Sequence, residues 1–367
     1  GVIWSLAHQE LFKLAEKCQI PVTTTLLGLG SFPETHPLAV RMLGMHGTQF
    51  ANYAMHECDC LIAVGTRFDD RVTGKLDEFA PNCRDSIIHI DIDPSSISKN
   101  IPVSVPIVGD CKRVLEKLVE EAEPMEHPEW VKQIADWKEQ YPLIYKDDDE
   151  LLRPQYVIEK LYEATGGKAV ITTEVGQHQM WAAHYFKYTE PRTFVSSGGL
   201  GTMGYGFPAA IGAKFGRPDL PVIDIAGDGS IQMNIQELAT TVMEDIPVIV
   251  LILNNGYLGM VRQWQEMFYK RNSSGVELGR MLDEEGNPMD KLPGDVPVYV
   301  PDFVRLAESY GALGRRVRQK GEVLPALQWA LEANRPVVLD CVVTREENVF
   351  PMIPAGASVR QMIGGLA

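Results

Sequence analysis

Two short segments carry oxygen ligands at a spacing that suits a divalent cation. Gly227-Asp228-Gly229-Ser230 follows a mostly apolar run at 222–226, and Asn254-Asn255 follows an apolar one at 248–253, so the Asp228 carboxylate and the Asn255 carboxamide stand 27 residues apart. If both runs are parallel strands joined by a right-handed crossover, both segments leave the sheet at the same carboxyl edge, where open α/β sheets bind ligands. Hard oxygen donors of this kind suit Mg²⁺ completed by phosphate oxygens and water, and the flanking glycines let backbone approach a diphosphate. Asp, Gly and Asn also make ordinary strand-end turns, but the tetrad, a whole crossover and a second strand-end Asn together form a specific pattern. A G-x-G-x-x-G match at 199–204 followed by Asp219 suggests a nicotinamide dehydrogenase. That reading fails because Asp219 lies in a turn before the next strand, whereas the ribose acid belongs at a strand's end.

The elements that must position these groups alternate. Residues 20–25, 60–64 and 87–92 read as strands, and Val114, Leu115, Leu118, Val119 and Ala122 mark an amphipathic helix. Residues 169–173, 193–196, 222–226, 248–253 and 337–343 read as further strands, apolar enough to be covered on both faces. Ile235, Leu238, Ala239 and Val242 form a helix stripe, which makes 222–253 one βαβ unit. The expected fold is α/β, with two doubly wound parallel-sheet domains at 1–125 and 151–367 joined by a connector at 126–150. Residues 272–301, rich in Gly, Pro and acids, read as a long surface loop.

Composition narrows the partners. The 367 residues carry 34 basic and 49 acidic side chains, a net charge of −15. An acidic chain without a basic cluster binds neither nucleic acid nor an anionic membrane, so a phosphate ligand must be held by backbone or through a metal. The longest apolar run, 246–253, is too short for the ~20 residues a spanning helix needs. Six scattered cysteines show no metal-ligand or redox spacing and read as reduced packing residues. A cytoplasmic location, or a plastid or mitochondrion in a eukaryote, is expected. The chain opens on Gly1 rather than Met, as a fragment would.

The Asp228/Asn255 pattern is the signature of thiamine diphosphate enzymes, and further stretches narrow it. Met42-Leu-Gly-Met-His-Gly-Thr48, Gly65-Thr-Arg-Phe-Asp-Asp-Arg-Val-Thr-Gly-Lys75, Glu174-Val-Gly-Gln-His-Gln-Met-Trp181, Ser196-Ser-Gly-Gly-Leu-Gly-Thr-Met-Gly204, Gly259-Met-Val-Arg-Gln-Trp264 and Pro351-Met-Ile-Pro-Ala-Gly356 stand in the sequence. With them the whole chain resembles the middle and C-terminal domains of acetohydroxyacid synthase large subunits. The second and last stretches separate that family from pyruvate oxidases and decarboxylases, which share the thiamine signature.

The resemblance implies carboligation of two pyruvates, or of pyruvate with 2-ketobutyrate, with loss of CO₂. It implies thiamine diphosphate, Mg²⁺ and FAD as cofactors, the flavin doing no redox work in the reaction. Asp228, Asn255 and the Tyr257 carbonyl would hold Mg²⁺. Val175, Gly176, Gln177, His178, Gly201 and Met203 would line the diphosphate and thiamine pocket, with Met203 propping the bent cofactor. Gly227, Gly229, Ser230, Leu258, Gly259 and Met260 would complete it. Gln177, Met260, Val261 and Trp264 would serve the reaction, Trp264 filling space beside the extra methyl of 2-ketobutyrate. Without the resemblance, His178 reads as a capping residue, and Met260, Val261 and Trp264 fit a helix core equally well. In the first domain Thr25, Leu26, Met45, His46, Gly65, Arg67, Asp69, Arg71, Asp91, Ile92, Gly109 and Asp110 match flavin-site positions, although Arg67 to Arg71 by spacing alone reads as an exposed ion-pair turn. The family works as a homodimer or tetramer with a small regulatory subunit, and its activating glutamate lies on an N-terminal domain that this sequence does not include. The chain alone is therefore expected to turn over little, and a non-catalytic cofactor-binding module is the alternative.

Overall fold

The computed structural model describes residues 1–147, 151–278 and 301–364. The packing divides the chain into two compact units, one of residues 1–145, 187–192 and 349–367, the other of 146–186 and 193–348.

The first unit holds α1 (His8–Lys17), β1 (Val22–Thr24), β2 (Ala39–Met42), α2 (Gln49–Glu57), β3 (Leu61–Val64), α3 (Asp70–Thr73), β4 (Ile87–Asp91), β5 (Val105–Val108), α4 (Cys111–Glu121) and α5 (Pro128–Gln140). Its named strands pair in parallel, β1 with β2, and β3-β4-β5 in that order. Helix starts follow from local chemistry. The Thr48, Asp69 and Asp110 side chains accept backbone N–H groups at the first turns of α2, α3 and α4, satisfying donors that a helix leaves unpaired. Helix α5 lies inside the stretch expected to be a connector, its Ile134 buried with Trp130 and Trp137 against the core of Phe50, Phe68 and Phe79. Of the acidic run closing that connector, residues 148–150 lie outside the described residues.

The second unit runs α6 (Pro154–Thr165), β6 (Val170–Thr173), α7 (Gln177–Tyr185), β7 (Phe194–Ser196), α8 (Gly206–Gly216), β8 (Val222–Gly227), α9 (Leu238–Met243), β9 (Val248–Asn254), α10 (Gly259–Phe268), α11 (Phe303–Tyr310), β10 (Leu313–Val317), α12 (Lys320–Glu332) and β11 (Val337–Val342). Six parallel strands stand in the order β10-β11-β9-β8-β6-β7. Strand β8 is buried along its whole length and β9 along all but its last residue, as a sheet covered on both faces requires. On one face Phe207 and Phe303, both fully buried, pack with Ile231, Leu238, Val250, Ile252 and Val338. Each buried aromatic contributes about 1.5–3 kcal/mol of hydrophobic stabilisation.

This strand order decides where a ligand fits. From β6 the chain steps to β7 on one side and then returns to place β8 on the other, so the order in which strands are added reverses between β6 and β8. The crevice beyond their carboxyl ends is the topological switch point of an open α/β sheet.

Candidate functional site

The segments singled out in the sequence converge on that crevice. Residues 174–178 follow β6, Gly227 ends β8 with Asp228 next to it, and Asn255 follows β9, the strand paired with β8 from Val222/Val248 to Gly227/Leu253. Asp228 is 1% exposed, and both of its carboxylate oxygens are buried with no hydrogen-bond partner. Burial pushes its carboxyl up to about 7, with the nearby amides of Asn255 and Gly256 offsetting only part of the cost. A buried carboxylate without a partner is costly unless a cation neutralises it. The Asp228 carboxyl group is thus suited to a cation.

The neighbouring strand supplies oxygen. The Asn255 Oδ1 accepts the Tyr257 N–H at 3.0 Å, and its Nδ2 points to Gln177 Oε1 at 3.5 Å. Tyr257 is fixed by an antiparallel bridge to Glu277, whose two backbone bonds run from Leu258 N to Val276 O and from Leu278 N to Gly256 O. Among the described residues those bonds leave the Tyr257 carbonyl without a backbone donor, while the Arg345 guanidinium lies over the Tyr257 ring at 4.6 Å. Asn254 turns the other way, its Nδ2 donating to Asp340 Oδ1 at 2.9 Å, and Asp340 also receives Arg316 from β10 at 2.8 Å. Only the second asparagine of the pair is therefore left to face a ligand. Among the described residues no three His, Cys, Asp or Glu side chains form a metal-holding group. A cation here would draw on one carboxylate, amide and carbonyl oxygens, and oxygens of its own ligand, a donor set that suits Mg²⁺ with a diphosphate.

His178 sits in the floor of the same crevice. It is 6% exposed, and its Nε2 lies 3.5 Å from Ser230 Oγ, which in turn accepts the Gly227 N–H at 3.1 Å. A Cβ on Gly227 would fall 2.8 Å from the imidazole Nδ1, so the ring fits only because that residue is glycine. Burial pushes His178 down to about 3, a bond to the Glu174 backbone offsetting only part of the cost, so the ring is neutral. Gly201 lies beside this group, where an added Cβ would be 3.7 Å from Val175 Cγ1, and Met203 follows it, half-buried.

Glu174 was not singled out in the sequence. Fully buried, it accepts the backbone N–H groups of Gly204 and Phe207 and so ties the 199–204 loop and the start of α8 to the end of β6. Burial raises its pKa, and burial together with Glu174 raises that of Asp224 well above the usual carboxylate range. The only sequence signal was an isolated acid next to the strand end.

Helix α10 carries Met260, Val261 and Trp264. Val261 is 49% exposed and Trp264 half-buried against Phe268, ring centroids 5.2 Å apart. These side chains are not helix core; the core side of α10 is taken by Arg262 and Gln263, 3% and 0% exposed. Of the loop expected at 272–301, residues 276–278 pair back onto 256–258, and 279–300 lie outside the described residues.

In the first unit the flavin-site candidates also collect at strand ends: Thr25 and Leu26 after β1, Met45 and His46 after β2, Gly65, Arg67, Asp69 and Arg71 after β3, Asp91 and Ile92 at β4, Gly109 and Asp110 after β5. The ends of β2 and β3 are joined by Met45 N donating to Arg71 O at 2.7 Å. Arg67 and Asp69 form an exposed ion pair at 3.6 Å, while Asp69 and Asp110 also cap helices. No helix of the described residues is long and apolar enough to cross a membrane.

Comparison with known proteins agrees with this geometry. Residues 174–341 match the thiamine pyrophosphate enzyme C-terminal TPP binding domain and residues 1–118 the thiamine pyrophosphate enzyme central domain. The chain is 48% identical over 365 residues to the acetolactate synthase large subunit of Corynebacterium glutamicum, covering 98% of this chain and 56% of that protein. It is 46% identical over 361 residues to chloroplastic acetolactate synthase 1 of Zea mays, 97% and 54%, and 44% identical over 372 residues to the acetolactate synthase isozyme 3 large subunit of Escherichia coli, 99% and 61%. The chain spans a little over half the length of these relatives. It belongs to the acetolactate synthase large-subunit family of thiamine pyrophosphate enzymes, whose central and C-terminal domains it matches.

Proposed function

We propose that this chain is the cofactor-holding part of a catalytic subunit that joins two pyruvates into 2-acetolactate, or pyruvate and 2-ketobutyrate into 2-aceto-2-hydroxybutyrate, with loss of CO₂, in branched-chain amino-acid synthesis. The observation that carries the reading is the buried Asp228 carboxylate, without a hydrogen-bond partner at the strand end beside Asn255. Asp228, the Asn255 carboxamide and the Tyr257 carbonyl hold Mg²⁺, and through it the diphosphate of thiamine diphosphate. Thiamine diphosphate, when bound, supplies the electron sink for decarboxylation of a 2-keto acid. The protein's part is to bind, orient and shield. Neutral His178 lines the diphosphate pocket, the glycines of 227–230 admit the diphosphate to the backbone, and Met203 props the cofactor. Val261 and Trp264 offer the acceptor an apolar wall, where one recognised methyl is worth ~1–3 kcal/mol.

The first unit holds FAD at its strand ends, with Arg67 and Arg71 suited to a diphosphate. The working assembly is a homodimer or tetramer with a small regulatory subunit, in the cytoplasm or an organelle. The reading is tested by grafting this chain in place of the matching stretch of the Corynebacterium glutamicum protein. With Mg²⁺, thiamine diphosphate and FAD the chimera is expected to form acetolactate from pyruvate and to lose that activity on Asp228→Ala. A folded chimera that forms none contradicts the proposal.

A further inference from the structure

The side chain of Gln177, at the start of α7, is fully engaged inside the protein. Its Nε2 donates to Gln263 Oε1 at 2.9 Å and to the Glu347 carbonyl at 2.8 Å, and its Oε1 is the atom towards which Asn255 Nδ2 points at 3.5 Å. One carboxamide therefore touches both the amide beside Asp228 and the interior face of α10. That helix has its polar side inward. Arg262 donates to Glu266, to the Glu347 carbonyl at 2.9 Å and to Asn348, while Val261, Trp264 and Phe268, at i, i+3 and i+7, form the outward stripe. Amphipathic helices normally bury their apolar face; here the buried polar bonds set which way the stripe points.

We propose that Gln263 is a positioning residue that, through Gln177, couples the orientation of α10 to occupancy of the cation site at Asn255. The physical link is polarisation. A cation drawing on the Asn255 carboxamide oxygen strengthens its N–H as a donor, which tightens the long contact to Gln177, and bonds in a chain reinforce one another. Gln177 then holds Gln263, and Gln263 holds the helix carrying Val261 and Trp264. The inference rests on the reading of Asp228 and Asn255 as the cofactor's Mg²⁺ site.

Hydrogen–deuterium exchange of the intact chain, with and without Mg²⁺ and thiamine diphosphate, tests it. In the wild type the additions are expected to slow exchange at residues 228–230 and, roughly tenfold, in α10. Gln263→Leu, which keeps the bulk but removes the acceptor, is expected to keep the first effect and lose the second; Gln263→Glu, which restores an acceptor oxygen, is expected to regain it. Equal α10 protection in Gln263→Leu and wild type overturns the coupling, as does strand-end protection without α10 protection in the wild type. Protection at neither place overturns the cofactor reading as well. Exchange in β8 and β9 reports whether each variant is folded; if Gln263→Leu is not, Gln263→Glu decides, wild-type α10 protection supporting the coupling and its absence overturning it.

Discussion

Replacing Asp228 by Asn is expected to stabilise the protein in the absence of metal while abolishing its response to Mg²⁺. The Asp228 carboxyl, raised from 3.8 to about 7 by burial, stays protonated in the folded chain over a range where the unfolded chain has already ionised. Between those values the folded state binds more protons than the unfolded one, so its stability falls as pH rises from about 4 to about 7 and levels off above. At ~1.36 kcal/mol per unit the full loss is about 4 kcal/mol. Asn cannot ionise and escapes it, but leaves a buried carboxamide without a partner, at a cost of ~1–3 kcal/mol. The net gain near pH 8 is then about 1–3 kcal/mol, roughly 2–10 °C in melting temperature for a unit of this size. The assay is thermal unfolding of wild type and variant in chelator at several pH values, repeated in saturating Mg²⁺ with thiamine diphosphate. The variant is expected to melt higher in chelator at pH 8 and lower at pH 4, where the ionisation cost has almost vanished and that of the buried carboxamide remains. With the ligands added, the wild type is expected to rise and the variant to stay put. A metal-free variant less stable than wild type at pH 8 would refute the reasoning, because Asp228 would then have partners inside the protein.

Gly206→Ala places a Cβ 2.2 Å from Asp224 Oδ1, 2.5 Å from the Glu174 nitrogen and 2.6 Å from the Thr173 carbonyl carbon; it is expected to cost ~1–3 kcal/mol or more in urea unfolding, and a neutral result would show that the β6–α8 junction gives way. Arg153→Met removes the buried partner of Glu347, itself 2% exposed, and is expected to cost about 3–5 kcal/mol, most of it recovered when Glu347→Gln is added. The His178 ring, held neutral by burial, is expected to show no NMR titration between about pH 5 and pH 8. Because its folded value lies below 6.5, the stability at stake is lost as pH falls from 6.5 towards 3, and His178→Gln is expected to flatten that acid limb.

The parts of the fold legible in the sequence were those whose residues had one physical task. The runs of β8 and β9 are apolar but for Asp224 and the closing Asn254, so they stand out in the sequence. Strands β2, β5 and β10 escaped notice for local reasons. Arg41 in β2 has a φ of +67°, β5 reads Val-Pro-Ile-Val and is largely exposed, and β10 carries Arg315 and Arg316, the latter paired with Asp302 and Asp340. In α5 the stripe of Trp130, Ile134 and Trp137 was masked by the prolines around it. Residues 349–364 pack with the first unit although they follow the second in sequence, and no local pattern encodes such a return. Among the site residues, Asp228 and Asn255 were legible because the crossover rule fixes both at one edge. Contacts such as Gln177 with Glu347, 170 residues apart, were not, because they join polar groups whose burial runs against the amphipathic pattern.

The direct measurement is equilibrium binding of thiamine diphosphate to the isolated chain, with Mg²⁺ and in chelator, compared with Asp228→Ala and Asn255→Ala. If those two side chains share a cation, binding appears only with Mg²⁺, and either substitution weakens it at least roughly tenfold, as loss of a charge-assisted contact requires. Equal affinity in chelator, or in the Asp228→Ala protein, would contradict the account.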